Sequence, residues 1–186
     1  PFYTRWLYTL RDDQGRNGSY GDYYPCLGTS PNGFDINSAK GGSGAWADAG
    51  IIIPWQVYQQ YGDVEILQQH YESMCRYMDF LERKADRYNI LPEGGYADWV
   101  APVFTNSSLI NTAYYASDAR MMQQMAGALG QIDDAVRYGR LFERIKTSFN
   151  KTFIDKEGYT VNQTDKGVEK INTQTSYVLP LQFGLI

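Results

Sequence analysis

The alternation of two kinds of helix along the sequence most constrains its fold. Residues 46–61 and 109–129 are apolar nearly all round, a pattern typical of helices inside a protein. Each is followed by a segment with one apolar stripe, which is typical of a surface helix. The first stripe consists of Leu67, Tyr71, Met74, Cys75, Met78 and Leu81. The second consists of Ile132, Ala135, Val136, Gly139, Phe142, Ile145, Phe149 and Phe153. An amphipathic stretch at 2–10 and a further inner segment at 175–183 complete the pattern, which predicts an all-α fold of paired inner and outer helices.

The connections between these helices differ in length in a regular way. Inner helices pass to outer helices through short turns at Gly62-Asp63 and Gly130-Gln131, and Asp63 is expected to cap the next helix. Outer helices return to inner ones through long segments, at 15–45, 86–107 and 155–173. In an antiparallel array the long segments emerge on one side, beside the amino-termini of the inner helices. Because long loops on a rigid scaffold usually carry function, we expect the site there.

Composition excludes several classes of function. The sequence has 17 Lys and Arg against 21 Asp and Glu, a net charge of −4 and no basic run, which argues against a nucleic-acid partner. No apolar stretch reaches the roughly 18 residues that a membrane span needs, so we expect no membrane partner. No leader segment is visible, and the cellular compartment cannot be read from the sequence. Aromatic residues make up 15% of the chain, which argues against disorder.

The few cysteine and histidine side chains limit the available chemistry. Cys26 and Cys75 are too few for a zinc site, and Cys75 is expected to be a buried thiol, although a bridge between the two remains open. His70 is the single histidine, and we expect it to be solvated on a surface helix. Catalytic triads and multi-histidine metal centres are therefore excluded within this sequence, and we expect neither a metal site nor a cofactor.

Two of the long connections carry the same combination of residues. Glycine-rich stretches precede Trp46 and Asp48 in one connection and Asp98 and Trp99 in the next. Tryptophan faces stack on the C–H faces of sugar rings, and aspartate accepts hydrogen bonds from sugar hydroxyls, so the pairs predict a carbohydrate subsite. The alternative is that the tryptophans fill the core and the aspartates cap helices.

A family resemblance rests on short stretches spread over the whole chain. The stretches are Gly44-Ala45-Trp46-Ala47-Asp48-Ala49, Ile53-Pro54-Trp55-Gln56-Val57-Tyr58, Tyr61-Gly62-Asp63, Tyr71-Glu72-Ser73-Met74, Asp98-Trp99, Leu109-Ile110-Asn111-Thr112-Ala113-Tyr114-Tyr115 and Gln174-Thr175-Ser176. In this order and spacing they resemble the catalytic domain of bacterial α-L-rhamnosidases. Ala45, Ala47 and Ala97 stand where the family pattern has glycine.

This resemblance implies an (α/α)6 barrel of six helical hairpins that hydrolyses terminal α-L-rhamnosyl linkages with inversion. It places the general acid upstream of Pro1 and the general base downstream of Ile186, so no catalytic residue is expected within 1–186. This chain would then be a fragment of one domain without an internal boundary. Its partners would be a rhamnose-containing glycoside or polysaccharide and the rest of the same domain, and Trp46, Asp48, Asp98 and Trp99 would bind the sugar. Two alternatives stay open: another six-hairpin glycosidase with a different sugar preference, or a non-catalytic helical-repeat binding module.

Overall fold

A computed structural model describes residues 2–24, 41–164 and 167–186 of the chain. The helices are α1 (Phe2–Asp12), α2 (Ala49–Tyr61), α3 (Val64–Lys84), α4 (Ser107–Ala128), α5 (Ile132–Phe153) and α6 (Gln174–Gln182). Strands β1 (Val161–Thr164) and β2 (Gly167–Lys170) form an antiparallel pair in which Val161 lies opposite Lys170. The predicted helical pairs are therefore present, and Cys26 lies outside the described residues.

The helices form two layers. The inner helix α4 packs against α2 on one side and α6 on the other, and its buried residues lie all round it. The outer helices α3 and α5 each bury a single stripe and expose the opposite side. Each outer helix packs on its inner partner, α3 on α2 and α5 on α4. This arrangement confirms the predicted alternation of inner and outer helices.

Short turns join each inner helix to its outer partner. Gly62 adopts a left-handed conformation with φ of 67° and donates its N–H to the carbonyl of Tyr58, which ends α2. The Asp63 carboxylate then accepts the N–H of Ile66 at 3.2 Å and caps α3, as predicted. Gly130, with φ of 73°, follows the end of α4 in the same way. Both turns are so short that each inner helix and the outer helix after it must run antiparallel.

The long connections meet at the end of the array where the inner helices begin. The Trp46 indole N–H donates to the carbonyl of Ala97 at 3.2 Å and joins the first connection to the second. The hydroxyls of Thr105 and Thr173 lie 2.6 Å apart and join the second to the third. The described parts of the long connections thus share one side, as predicted, while residues 25–40 of the first lie outside the described residues.

Three local features differ from the sequence-based expectations. Residues 44–48 form turns before α2, so Trp46 and Asp48 precede the helix. The third connection contains the β1–β2 hairpin, which the sequence did not predict because β2 is exposed throughout and has no apolar alternation. His70 is 2% exposed and packs on the Tyr8 ring of α1, so the expectation of a solvated histidine is wrong.

The burial of His70 follows from the orientation of α3. Its buried side chains are Ile66, Leu67, His70, Ser73, Met74, Tyr77, Met78 and Leu81, whereas Tyr71 and Cys75 are only half-buried. The helix contacts α1 as well as α2 and α4, and this rotates its buried stripe away from the expected one. Cys75 is a free thiol. Burial raises its pKa, but the side chain is only half-buried and not fully buried as expected, because the buried stripe is rotated.

Candidate functional site

Three aromatic rings lie together where the first two long connections meet. The Trp46 and Trp99 ring centroids are 6.1 Å apart, and Tyr96 lies 5.1 Å from each of them. Trp46 is half-buried, while Trp99 is 59% exposed. We call Trp46, Tyr96 and Trp99 the aromatic cluster. The structure therefore brings the two predicted tryptophans together and adds a tyrosine.

Unusual backbone conformations place the cluster. Ala45 has φ of 72° and Ala97 has φ of 47°, both in the left-handed region that favours glycine. These are two of the three positions where the family pattern has glycine. Ala47 does not have positive φ and is 1% exposed. The local geometry thus keeps the glycine-like backbone at Ala45 and Ala97 even with alanine present.

Asp98 lies at the base of the cluster. Its carboxylate oxygens accept the N–H of Thr105 at 3.3 and 3.1 Å, which closes the loop that carries Trp99. The residue is half-buried. Because an ionised carboxylate has about four acceptor positions, Asp98 retains capacity for a ligand hydroxyl.

Asp48 lies behind the cluster. It is 1% exposed, and its Oδ2 accepts the N–H of Ala45 at 2.6 Å while its Oδ1 accepts the Tyr77 hydroxyl at 2.9 Å. Burial raises the pKa of Asp48, and the neighbouring Asp118 together with these two hydrogen bonds opposes the rise. Asp48 therefore supports the turn that carries Trp46 and presents no free oxygen to the surface, and its predicted contact with a sugar hydroxyl stays a prediction.

Asn111 on α4 links both connections and was not among the predicted site residues. Its Oδ1 accepts the N–H of Gly44 at 3.2 Å, and its Nδ2 donates to the carbonyls of Pro92 and Gly94 at 3.0 and 3.2 Å. It is 3% exposed. A Cβ at Gly44 would lie 2.6 Å from the Asn111 Cα, so this approach requires glycine. The signal available in the sequence was a polar residue among the apolar ones near the start of a predicted inner helix.

A cleft of about 570 Å³ adjoins the cluster between the second and third connections. Tyr96 and Ala97 form the side nearest the cluster, and Asn106 and Thr173, the residues that cap α4 and α6, lie on its floor. Lys170 of β2 also lines it. The volume is within the range of small-molecule sites, and the lining offers hydrogen-bond donors and acceptors beside an aromatic ring.

Across 2–24, 41–164 and 167–186, no three His, Cys, Asp or Glu side chains are grouped so that they could hold a metal ion. None of the helices in these ranges has the length and apolar character needed to cross a membrane.

The paired inner and outer helices, with the long connections joined at one end, define a class of protein, the domains built from layers of helical hairpins. Comparison with known sequences is more specific. The chain belongs to the bacterial alpha-L-rhamnosidase 6 hairpin glycosidase domain family, whose profile matches residues 1–186. Its fold is accordingly part of an (α/α)6 barrel.

Similar proteins come from several bacteria. An alpha-L-rhamnosidase of Streptomyces avermitilis is 34% identical over 186 residues, which is all of this chain and 16% of that protein. One of Formosa agariphila is 29% identical over 193 residues, covering 19% of its length. The crystal structure of the Streptomyces avermitilis enzyme complexed with L-rhamnose superposes with a TM-score of 0.84 at 33% identity, covering 100% of this chain and 16% of that one. The alpha-L-rhamnosidase structure from Dictyoglumus thermophilum gives 0.83 at 32% identity, covering 100% and 20%. The chain thus spans between a sixth and a fifth of the length of these relatives.

Proposed function

We propose that this chain forms one wall of the sugar site in an inverting α-L-rhamnosidase. Trp46 and Trp99 stack on or enclose the rhamnosyl ring, Tyr96 supports them, and Asp98 accepts a sugar hydroxyl. The observation that carries the proposal is the convergence of Trp46 and Trp99 from two separate connections at the mouth of the inner helices, with ring centroids 6.1 Å apart.

The chemistry of a rhamnosyl group suits this wall. A 6-deoxy sugar presents a methyl group and C–H faces to aromatic rings, while its hydroxyls need charged or polar acceptors. Trp99 supplies the most exposed ring of the aromatic cluster. Asp98 directly precedes it and can still accept a hydrogen bond. A relative in this family has been crystallised with L-rhamnose, which supports this choice of sugar.

The proposal assigns binding and not proton transfer to this chain. Inversion requires a general acid and a general base on opposite faces of the sugar, with room for a water molecule between them. The family resemblance places both groups outside 1–186, in the rest of one catalytic domain of which this chain is an undivided part. The adjoining cleft beside Tyr96 then takes the remainder of a rhamnose-containing glycoside or polysaccharide.

Replacement of Trp99 tests the proposal in the complete natural protein that contains this chain. Trp99→Ala is expected to weaken L-rhamnose binding, measured by calorimetry, by about ten- to a hundredfold, because an aromatic stacking face contributes roughly 1–3 kcal/mol. The kcat/KM for an aryl rhamnoside should fall by a similar factor.

Tyr88→Ala provides the matched control. Tyr88 is 55% exposed in the same connection and packs under Arg87, away from the aromatic cluster. This variant should keep the affinity of the unaltered protein. Equal affinities for Trp99→Ala and Tyr88→Ala would contradict the proposal.

A further inference from the structure

A pair of buried carboxyl groups lies beneath the turn that carries Trp46. Asp48 and Asp118 of α4 are 1% and 0% exposed, and their carboxyl groups are neighbours in the core. Two carboxylates cannot donate a hydrogen bond to one another, and two buried like charges in contact repel strongly. One of the two groups therefore has to carry a proton.

The hydrogen-bond partners decide which group that is. Asp48 accepts from the Ala45 N–H and the Tyr77 hydroxyl, and these donors favour its ionised form. Neither oxygen of Asp118 has a donor among the described residues. A buried carboxylate without donors is costly, whereas a carboxylic acid can donate to its neighbour. The proton thus belongs on Asp118 and points to Asp48.

The charged and titratable groups around the pair agree with a single negative charge. Tyr77 and Lys84 face it from α3 and Tyr114 from α4, while Asp22, in the segment after α1, lies near Tyr77 and Lys84. Lys84 donates to the carbonyl of Gly42 at 3.1 Å and adds a positive charge nearby. Burial and the adjacent Asp48 raise the pKa of Asp118 well above its ordinary value.

We propose that Asp118 is a positioning residue: it remains protonated at neutral pH and donates to Asp48, which fixes the turn carrying Trp46. Asp48 transmits this constraint because it accepts the N–H of Ala45, whose φ of 72° sets the direction of the turn. The consequence for sugar binding rests on the function proposed above, while the protonation and its effect on the turn do not.

The test compares Asp118→Asn with Asp118→Ala in the complete natural protein. The amide of Asn can donate to Asp48 at every pH, whereas Ala removes the donor. Infrared spectra of the unaltered protein at neutral pH should show the carbonyl stretch of a protonated carboxyl group. This band should shift in D2O and should be absent from Asp118→Asn. Asp133→Asn, an exposed change on α5, should keep this band.

The pH dependence of unfolding gives a second readout. Because the native state holds its proton to a higher pH than the unfolded chain, this stabilisation is fully present below the unfolded pKa of about 3.9 and is lost as pH rises. The unfolding constant of the unaltered protein, relative to that of Asp118→Asn, should therefore rise about tenfold per pH unit up to the native pKa. Asp133→Asn should show no such divergence.

Sugar binding separates this inference from the proposed function. Asp118→Ala should weaken L-rhamnose binding by about tenfold or more, and Asp118→Asn should restore it, because a buried hydrogen bond to a charged group is being removed and replaced. The inference would be overturned if the unaltered protein lacked the infrared band, or if Asp118→Asn were no more stable than Asp118→Ala. Failure of the proposed function would appear instead as unaltered binding in Trp99→Ala with the band still present.

Discussion

Ala45 and Ala97 hold the backbone of the site in conformations that cost free energy for a residue with a Cβ. The left-handed region is roughly 1–2 kcal/mol less favourable for such a residue than the right-handed one. Since these alanines flank Trp46 and Trp99, the unfavourable conformations coincide with the turns that place the aromatic rings.

Replacing either alanine with glycine should relieve this cost. Ala45→Gly and Ala97→Gly are expected to raise the free energy of unfolding by up to about 1 kcal/mol, after the greater chain entropy of glycine in the unfolded state is subtracted. Ala47→Gly is the control and should lower it by about 0.5–1 kcal/mol, because Ala47 is buried without positive φ. Urea denaturation measures the stability of all three variants. A change in the free energy of unfolding with the same sign for Ala45→Gly and Ala47→Gly would contradict the explanation.

His70 should make the protein sensitive to acid. Burial, reinforced by the nearby Arg11, lowers the pKa of His70 to about 4, below the ordinary 6.5. The neutral imidazole is favoured in the native state, so its contribution to stability is present above pH 6.5 and is lost as pH falls toward 4.

The variant His70→Leu should remove this sensitivity. Native protein is expected to lose up to about 1.4 kcal/mol per pH unit across that interval, and the variant should show a flatter curve. Thermal denaturation at a series of pH values checks this. Parallel curves for the two proteins would show that His70 does not titrate differently in the native state.

At the level of single elements, strong periodicity made the sequence informative. The sequence predicts a helix over 132–153, which are the bounds of α5, because the apolar stripe is continuous and Gly130 precedes it. The orientation of α3 could not be predicted in the same way, because it depends on packing against α1. The two short strands gave no signal, since burial is nearly absent from them.

The same distinction applies to the candidate site. Residue types and spacing were enough to select Trp46 and Trp99, which the structure places together. The burial of Asp48 was not predictable, because it depends on Tyr77 and Asp118, which come from two other helices. Tertiary contacts of this kind leave no periodic pattern in the sequence.

Asn111 connects α4 to two loops, and its removal should destabilise both. Asn111→Ala leaves the Gly44 N–H and two carbonyls without their partner, which should lower the free energy of unfolding by about 2–4 kcal/mol. Asn172→Ala, at an exposed position in the third connection, should change it by less than about 0.5 kcal/mol. Urea denaturation of the two variants decides this, and equal stabilities would mean that α4 does not organise the loops.

At the scale of the whole molecule, the inner layer is incompletely covered by this chain. Tyr61 of α2 and Val178 and Leu181 of α6 are 78%, 52% and 65% exposed. Large apolar side chains exposed on inner helices favour association. The remaining hairpins of an (α/α)6 barrel would provide partners for such a layer.

The isolated 186 residues are therefore expected to associate and to lack rhamnosidase activity. Both catalytic carboxyl groups of the inverting reaction are assigned to other parts of the domain. Sedimentation should detect oligomers, and an aryl rhamnoside should be hydrolysed no faster than in a control without protein. Turnover by the purified piece would contradict the assignment of the acid and base, and a monomer would contradict the exposed-layer explanation.

A crystal structure of the complete natural protein with bound L-rhamnose tests whether this chain forms a wall of the sugar site. The sugar ring is expected to lie against Trp46 and Trp99, with a hydroxyl within hydrogen-bonding distance of Asp98. A rhamnose molecule bound elsewhere in the domain, with the aromatic cluster empty, would contradict it.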